Sequence, residues 1–281
     1  MSAEAAGLFG PDSITWRVHS DPVLFLGGLR ALFLQALHPL AMAGVAQHSG
    51  FESDPWGRLL RTAEYVGVVT YGTLGQARAA GAAVRRAHRG LTGVEPESGL
   101  PYRVTDPELL LWVHNCEVDS FLDTALRSGM RLTGAEADRY VAEQVRAARL
   151  VGVPERMVPT TRAGLAAYFR AQRPVVRSTA AARRTARFLL FPPMPTPVQL
   201  LTPARPAWAA LAALSYSLQP DWARRTYGLS GLPGTALGAT ALARSLRLML
   251  LALPNSLRQG PHHRAALARV QAERDREELG A

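Results

Sequence analysis

The chain has no lysine and only one cysteine, Cys116. The lone thiol excludes an internal disulfide, and it excludes a thiolate cage for zinc or an iron–sulfur cluster. Without lysine, the formal charge of +10 comes wholly from arginine. Such a charge first suggests nucleic acid, yet the arginines form scattered pairs (Arg85–Arg86, Arg183–Arg184, Arg224–Arg225) and no dense tract. Codon bias, an acidic membrane surface or the carboxylates of a bound ligand account for it better, and no nucleic-acid partner is expected. Long apolar runs are missing too. Pro22–Leu37 is interrupted by Arg30, and Leu242–Leu253 by Arg244 and Arg247, so neither reaches the roughly 18 residues of a membrane span. The N-terminus carries acids and lacks the basic and apolar regions of a signal peptide. The expectation is a soluble, cytoplasmic protein. Peripheral membrane contact stays open, because Arg244 and Arg247 share a helix with Leu246, Leu248, Met249, Leu250 and Leu251.

Several chemistries lack their motifs. No Glu-x-x-His pair points to a di-iron bundle, and no His-Glu-x-x-His, G-x-x-x-x-G-K or G-x-S-x-G occurs. The alternating strands of a dinucleotide fold are absent as well.

What is present is a globular, helix-forming texture: 48% hydrophobic and 19% charged residues, rich in alanine, leucine and arginine at helical spacing. Three cap-plus-proline starts, Asp21–Pro22, Asp54–Pro55 and Asp106–Pro107, predict helices over Pro22–Leu37, from Asp54 through Tyr65, and over Glu108–Leu126. His38–Pro39 breaks the first, and Leu40–Gln47 resumes it. Thr73 opens a helix ending at His88, and Thr133 with Glu136 opens Thr133–Val151. Arg162–Arg173, Ala207–Leu218, Ala236–Leu253 and a polar, fraying Arg264–Glu277 complete the set. Val94–Asp106 reads as a loop, and the proline-rich Phe188–Pro206 as an extended surface connection. The expected organisation is a tail over 1–14, one all-helical domain over 15–255, and a polar tail over 256–281.

Two helices carry the candidate chemistry. His114 falls in an apolar stripe with Leu110, Leu111, Val118 and Phe121. Burial there favours a neutral imidazole with a free lone pair, able to bind iron if Glu117 or Asp119 orients it. Spacing alone suits a core histidine satisfied by a backbone carbonyl equally well. Arg58 and Thr62 stand at i and i+4, with Arg61 on the flank. They could meet a carboxylate and an oxygen species, or could be a surface arginine and a threonine bonded to its own helix. His38 sits at a helix break that suits a site or a simple corner. His88, beside Arg85, Arg86 and Arg89, reads as structural or as an outer group of a pocket, and His48, His262 and His263 as solvated.

The ordered set His38–Pro39, Ala43–Val45, His48–Phe51, Asp54–Pro55, Arg58, Arg61–Thr62, His88–Gly93 and Tyr102–His114, with LQPDWARRTYG at Leu218–Gly228, resembles the latex-clearing-protein and rubber-oxygenase catalytic domain. That domain also occurs in the fungal ER-bound oxygenase of mycophenolic acid synthesis. The likeness runs from about Thr15 to Leu253. It implies an all-α, globin-related bundle around haem b, with His114 as iron ligand and Arg58 and Thr62 on the distal helix. His38 and His88 would lie near the cofactor. It also implies O₂-dependent attack on a carbon–carbon double bond of a small hydrophobic, isoprenoid-like substrate. The chain departs from the rubber-cleaving members in having Arg61 at a lysine position and no counterpart near Ala41–Ala46 for their upstream glutamate. Two other readings stand beside it: a non-catalytic haem or lipid carrier, and an arginine-rich interaction protein without cofactor.

Overall fold

The computed structural model describes residues 3–50, 53–229 and 231–279. In chain order, α1 (Ala3–Ala6) and α2 (Ile14–His19) precede α3 (Leu24–Gln35) and α4 (Pro39–His48), which meet at a corner of 105°. Pro39 cannot continue α3, and His38 instead starts α4, its Nδ1 accepting from the Ala41 N–H at 3.4 Å. Asp54 caps α5 (Pro55–Tyr71) by accepting from the Gly57 N–H at 3.0 Å. A capping box of Thr73 and Gln76 opens α6 (Leu74–His88). The two form a helical hairpin. Then come β1 (Thr92–Val94) and β2 (Pro101–Arg103), the central α7 (Pro107–Arg127), and α8 (Gly134–Glu143), which Thr133 and Glu136 start as their spacing predicts. The remaining helices are α9 (Val145–Val151), α10 (Arg162–Gln172), α11 (Ala180–Leu190), α12 (Thr196–Leu201), α13 (Ala204–Ser217), α14 (Asp221–Thr226), α15 (Thr235–Leu251), α16 (Asn255–Arg258) and α17 (Pro261–Leu279). The architecture is the expected all-α domain.

Several segments differ from expectation: α3 starts at Leu24 with Val23, not Asp21, at its cap, and Thr133–Val151 is broken at Gln144 into α8 and α9. Within the supposed loop Val94–Asp106, an antiparallel hairpin pairs Thr92 with Arg103 and Val94 with Pro101. Its turn is built on the buried Glu95 carboxylate, which accepts from the Glu97 and Ser98 N–H groups at 3.1 and 2.8 Å and from Arg177 at 2.7 Å. The proline-rich stretch is helical in part, because Pro197 falls in the first turn of α12, where no N–H is needed. The polar C-terminal segment does not fray. As α17 it packs on α5, burying Ala266 and Val270 against Trp16 and Tyr71, while His263 stacks on Tyr71 at 4.7 Å.

The core is built on the pair α3–α7, whose contact is the most extensive in the fold. A Cβ at Gly27 would stand 3.1 Å from the Ser120 carbonyl oxygen and 2.9 Å from Phe121, so only glycine lets the two backbones come this close. Leu34, Leu37, Trp112, Cys116, Phe121 and Leu122 fill the interface. Arg30, which breaks the hydrophobic run of α3, is buried with it. Its guanidinium reaches Asp119 at 2.8 Å, Ser120 at 2.7 Å, Asp123 at 3.3 Å and the Leu218 carbonyl at 3.0 Å. Those carboxylates hold its pKa up against the burial that would lower it.

Candidate active site

The α7 face that matters is the stripe Leu110, His114, Glu117 and Phe121, at i, i+4, i+7 and i+11. Among these, His114 is 8% exposed, and burial lowers its pKa to about 4, so the ring is neutral at pH 7. Its Nε2 is fully enclosed and has no hydrogen-bond partner. An orphaned buried nitrogen costs roughly 1–3 kcal/mol and is left open to a partner from outside the chain. Glu117, half-buried one turn on, has no ion pair or hydrogen bond among the described residues, and burial raises its carboxyl to about 7. Asp119, expected as an alternative orienting group, lies on another side of the helix and is committed to Arg30.

Opposite the stripe stands the α5–α6 hairpin. Tyr65 of α5 lies within electrostatic reach of Glu117 and of Arg85 on α6, and burial keeps its phenol protonated. Arg58, partly buried, has no carboxylate partner among the described residues, and burial followed by repulsion from Arg61 lowers its pKa. It lies beside His88, whose pKa is depressed by burial and then by the Arg58 charge. The Nδ1 of His88 is a second enclosed imidazole nitrogen without a partner. A cleft of about 240 Å³ opens here, lined by Arg85, His88, Arg89, Thr105 and Leu110, the last one turn before His114.

The other candidates are differently occupied. Thr62 is exposed and donates to the Arg58 carbonyl of its own helix at 3.0 Å. Arg61 is exposed and pairs with the cap residue Asp54 at 2.9 Å, so it braces the start of α5. His38, expected near the cofactor, caps α4 and lies against Trp112 at 5.6 Å. Trp112 precedes His114 by two residues, nearly opposite on the helix, so His38 belongs to the far side of α7. His48 contacts Tyr102 Oη at 3.3 Å and the Thr92 carbonyl at 3.2 Å. His262 meets Glu64 at 2.8 Å. Phe51 lies outside the described residues. A larger groove, about 590 Å³ between the N-terminal segment and α17, includes Trp16, Arg17, His263 and Arg274 but none of the candidates.

Sequence reading overlooked His19. Its two ring nitrogens meet Thr70 Oγ1 at 2.8 Å and Tyr140 Oη at 3.0 Å, and burial lowers its pKa to about 3. At the end of a one-turn helix, no periodicity flagged it. It ties α2 to α5 and α8, the frame around the stripe. Three buried neutral histidines have a consequence for stability: His19, His38 and His114 sit at about 3, 4 and 4, against about 6.5 in an unfolded chain. Below that value the unfolded state takes up protons that the folded state refuses, so stability falls as pH drops toward 4. Each fully responding histidine contributes up to about 1.4 kcal/mol per pH unit. The urea midpoint is expected to be lower at pH 5 than at pH 7, and a flat midpoint would mean the rings are not enclosed.

Among the described residues no three His, Cys, Asp or Glu side chains converge to hold a metal ion. The donors on offer are single imidazoles, a chemistry that fits an axial haem ligand. The space is tighter: 240 Å³ is below the roughly 300–1,000 Å³ of small-molecule sites. Yet the buried residues of α5 are all in its last turn, Val69, Thr70 and Tyr71, whereas Leu60 is 68% exposed and Ala63 is open. The half of α5 that carries Arg58 is nonetheless anchored, with Trp56 donating to the Pro193 carbonyl at 2.9 Å and meeting the Trp208 ring edge-on at 4.8 Å.

Residues 16–250 match the family described as ER-bound oxygenase mpaB/B′/rubber oxygenase, catalytic domain. No curated protein and no solved structure matches the chain.

Proposed function

Because this chain belongs to the ER-bound oxygenase mpaB/B′ and rubber oxygenase catalytic domain family, we propose that it is a haem b-dependent oxygenase acting with O₂ on a small hydrophobic substrate. The observation that carries the haem is the enclosed, unpartnered Nε2 of the neutral His114, which is in the protonation state an axial ligand requires. Bound haem supplies O₂ activation, chemistry that no side chain here provides. The chain's own residues do the rest. Arg58, without a carboxylate partner, offers a charge-assisted pair to a propionate. Tyr65 keeps its Oη proton and can donate it as a hydrogen bond. The Glu117 carboxyl, at about 7, can hold or release a proton near neutrality. Leu110 and Phe121 keep water from the stripe. Room for the macrocycle would have to come from displacement of the first half of α5, the more exposed half of that helix.

A second reading has its own support: His88, with an equally unpartnered Nδ1, lines the cleft and lies beside Arg58, and would supply the iron-binding imidazole from α6. The test is the absorption spectrum of the purified protein with hemin, before and after dithionite. A Soret band supports the reading, and protein that stays colourless sinks it. A Soret band without alkene turnover under O₂ would instead indicate a haem carrier. Arg58→Ala and Thr62→Ala are expected to keep haem and to slow oxygen-dependent turnover by about 10- to 100-fold. Wild-type rates in both would remove that face from the chemistry.

A further inference from the structure

We propose that the leucine-rich ribbon from Leu232 to Arg258 docks this protein on the surface of an anionic lipid bilayer. The helix α15 uses only one side for the fold, where Ala239 and Ala243 are buried, and Leu246 and Leu250 pack beside them on the cluster of Leu26 and Leu218. The opposite side is apolar as well. Leu237 is 78% and Leu248 66% exposed, Leu242 and Met249 flank them, and Leu232 in the preceding loop is 82% exposed. Contiguous exposed apolar patches of this kind mark an interaction site.

Charge identifies the partner. Between Trp222 and Ala272 the chain has seven arginines and no acidic residue. The wider span from Arg156 to Ala272 holds 16 arginines and one acid, Asp221, whereas the rest of the chain holds 16 arginines against 21 acids. The sequence is thus polarised, and the exposed leucines lie in its cationic span. The arginines of α15 itself turn to the body, Arg247 pairing with Asp21 at 2.6 Å and Arg244 donating to the Arg127 carbonyl at 3.1 Å. That leaves an apolar crest with cations on its flanks and at its end, including Arg225 and Arg258. A second copy seated on this ribbon would bring like charges together, whereas an anionic headgroup layer meets both features at once. Among the described residues no single helix is long and apolar enough to cross a membrane, so the ribbon would lie in the interfacial plane.

The proposal needs neither haem nor turnover, and it is tested on the full chain by flotation. Vesicles of phosphatidylcholine mixed with phosphatidylglycerol are expected to carry the protein up, and phosphatidylcholine alone to do so at least about tenfold less. Salt well above physiological strength should release it. The double variant Leu237→Ser/Leu248→Ser and the double variant Arg225→Glu/Arg258→Glu should each lose about tenfold in partition, with circular dichroism and melting unchanged. Equal flotation on both vesicle types, flotation unaltered by either variant, or no flotation at all would overturn the proposal. So would sedimentation showing a dimer that the serine variant dissociates, which would make the ribbon a self-association face.

Discussion

Replacing His114 by alanine is expected to give a helical protein that no longer retains haem, the largest functional effect that any single substitution here should produce. The ring is neutral, enclosed and unpartnered at Nε2, so truncation removes the proposed iron donor and breaks no hydrogen bond made through that nitrogen. Loss of groups that merely orient a metal ligand already costs about 10- to 100-fold in affinity, and loss of the ligand itself should exceed that. Haem content per mole of protein, read from the Soret band beside a circular dichroism spectrum, is the measurement. His88→Ala is the paired experiment, expected to keep haem with a shifted spectrum. The opposite pattern, with haem lost from the His88 variant and kept by the His114 variant, assigns the axial role to α6. Full retention in both variants would dismiss the two imidazoles together.

Arg30→Met should produce the largest loss of stability. Arg30 is 2% exposed and joins α3 to α7 through Asp119, Asp123 and Ser120. It also holds the chain end of α13 through the Leu218 carbonyl, while Gln219 returns a hydrogen bond to the Arg30 carbonyl at 2.5 Å. Methionine fills much of the volume but leaves Asp119 without its cation and Asp123 with only Arg127, at 3.7 Å. Breaking such a buried pair from one side costs about 3–5 kcal/mol, and the partial exposure of Asp119 and Asp123, 29% and 37%, places the expectation near the lower figure. Urea unfolding measures it. Restoring stability with Asp119→Asn and Asp123→Asn in the Arg30→Met background would show that stranded charge, not lost packing, is responsible. An Arg30→Met midpoint equal to wild type would mean that the ion pairs contribute nothing net.

The helix starts were legible because a cap is local chemistry: Asp54 with Pro55, Thr73 with Gln76, and Thr133 with Glu136 each fix a boundary within four residues. The hairpin was not legible, since its strands span three residues each and its turn depends on a buried Glu95 held by Arg177, far along the chain. Nor was α17, whose polar sequence gives no sign that Trp16 and Tyr71 await Ala266 and Val270. At the site the same division holds. Residue types and spacing left Arg58, Thr62, His88 and His114 open between a site and ordinary packing, the family resemblance alone implied roles for them, and neither showed how each side chain is engaged. Arg61 goes to Asp54, Thr62 to the Arg58 carbonyl and His38 to an N-cap, and each of those choices depends on what tertiary packing leaves free.

The enclosure of Cys116 gives the molecule an experimental convenience. With the only thiol 0% exposed and its pKa pushed up by burial, maleimide or nitroxide reagents should leave the native fold unlabelled. A cysteine introduced at Leu60, and another on an exposed surface of α8, would therefore report their separation in solution without background. Distance distributions from such a doubly labelled pair would show whether the first half of α5 moves as hemin is titrated in.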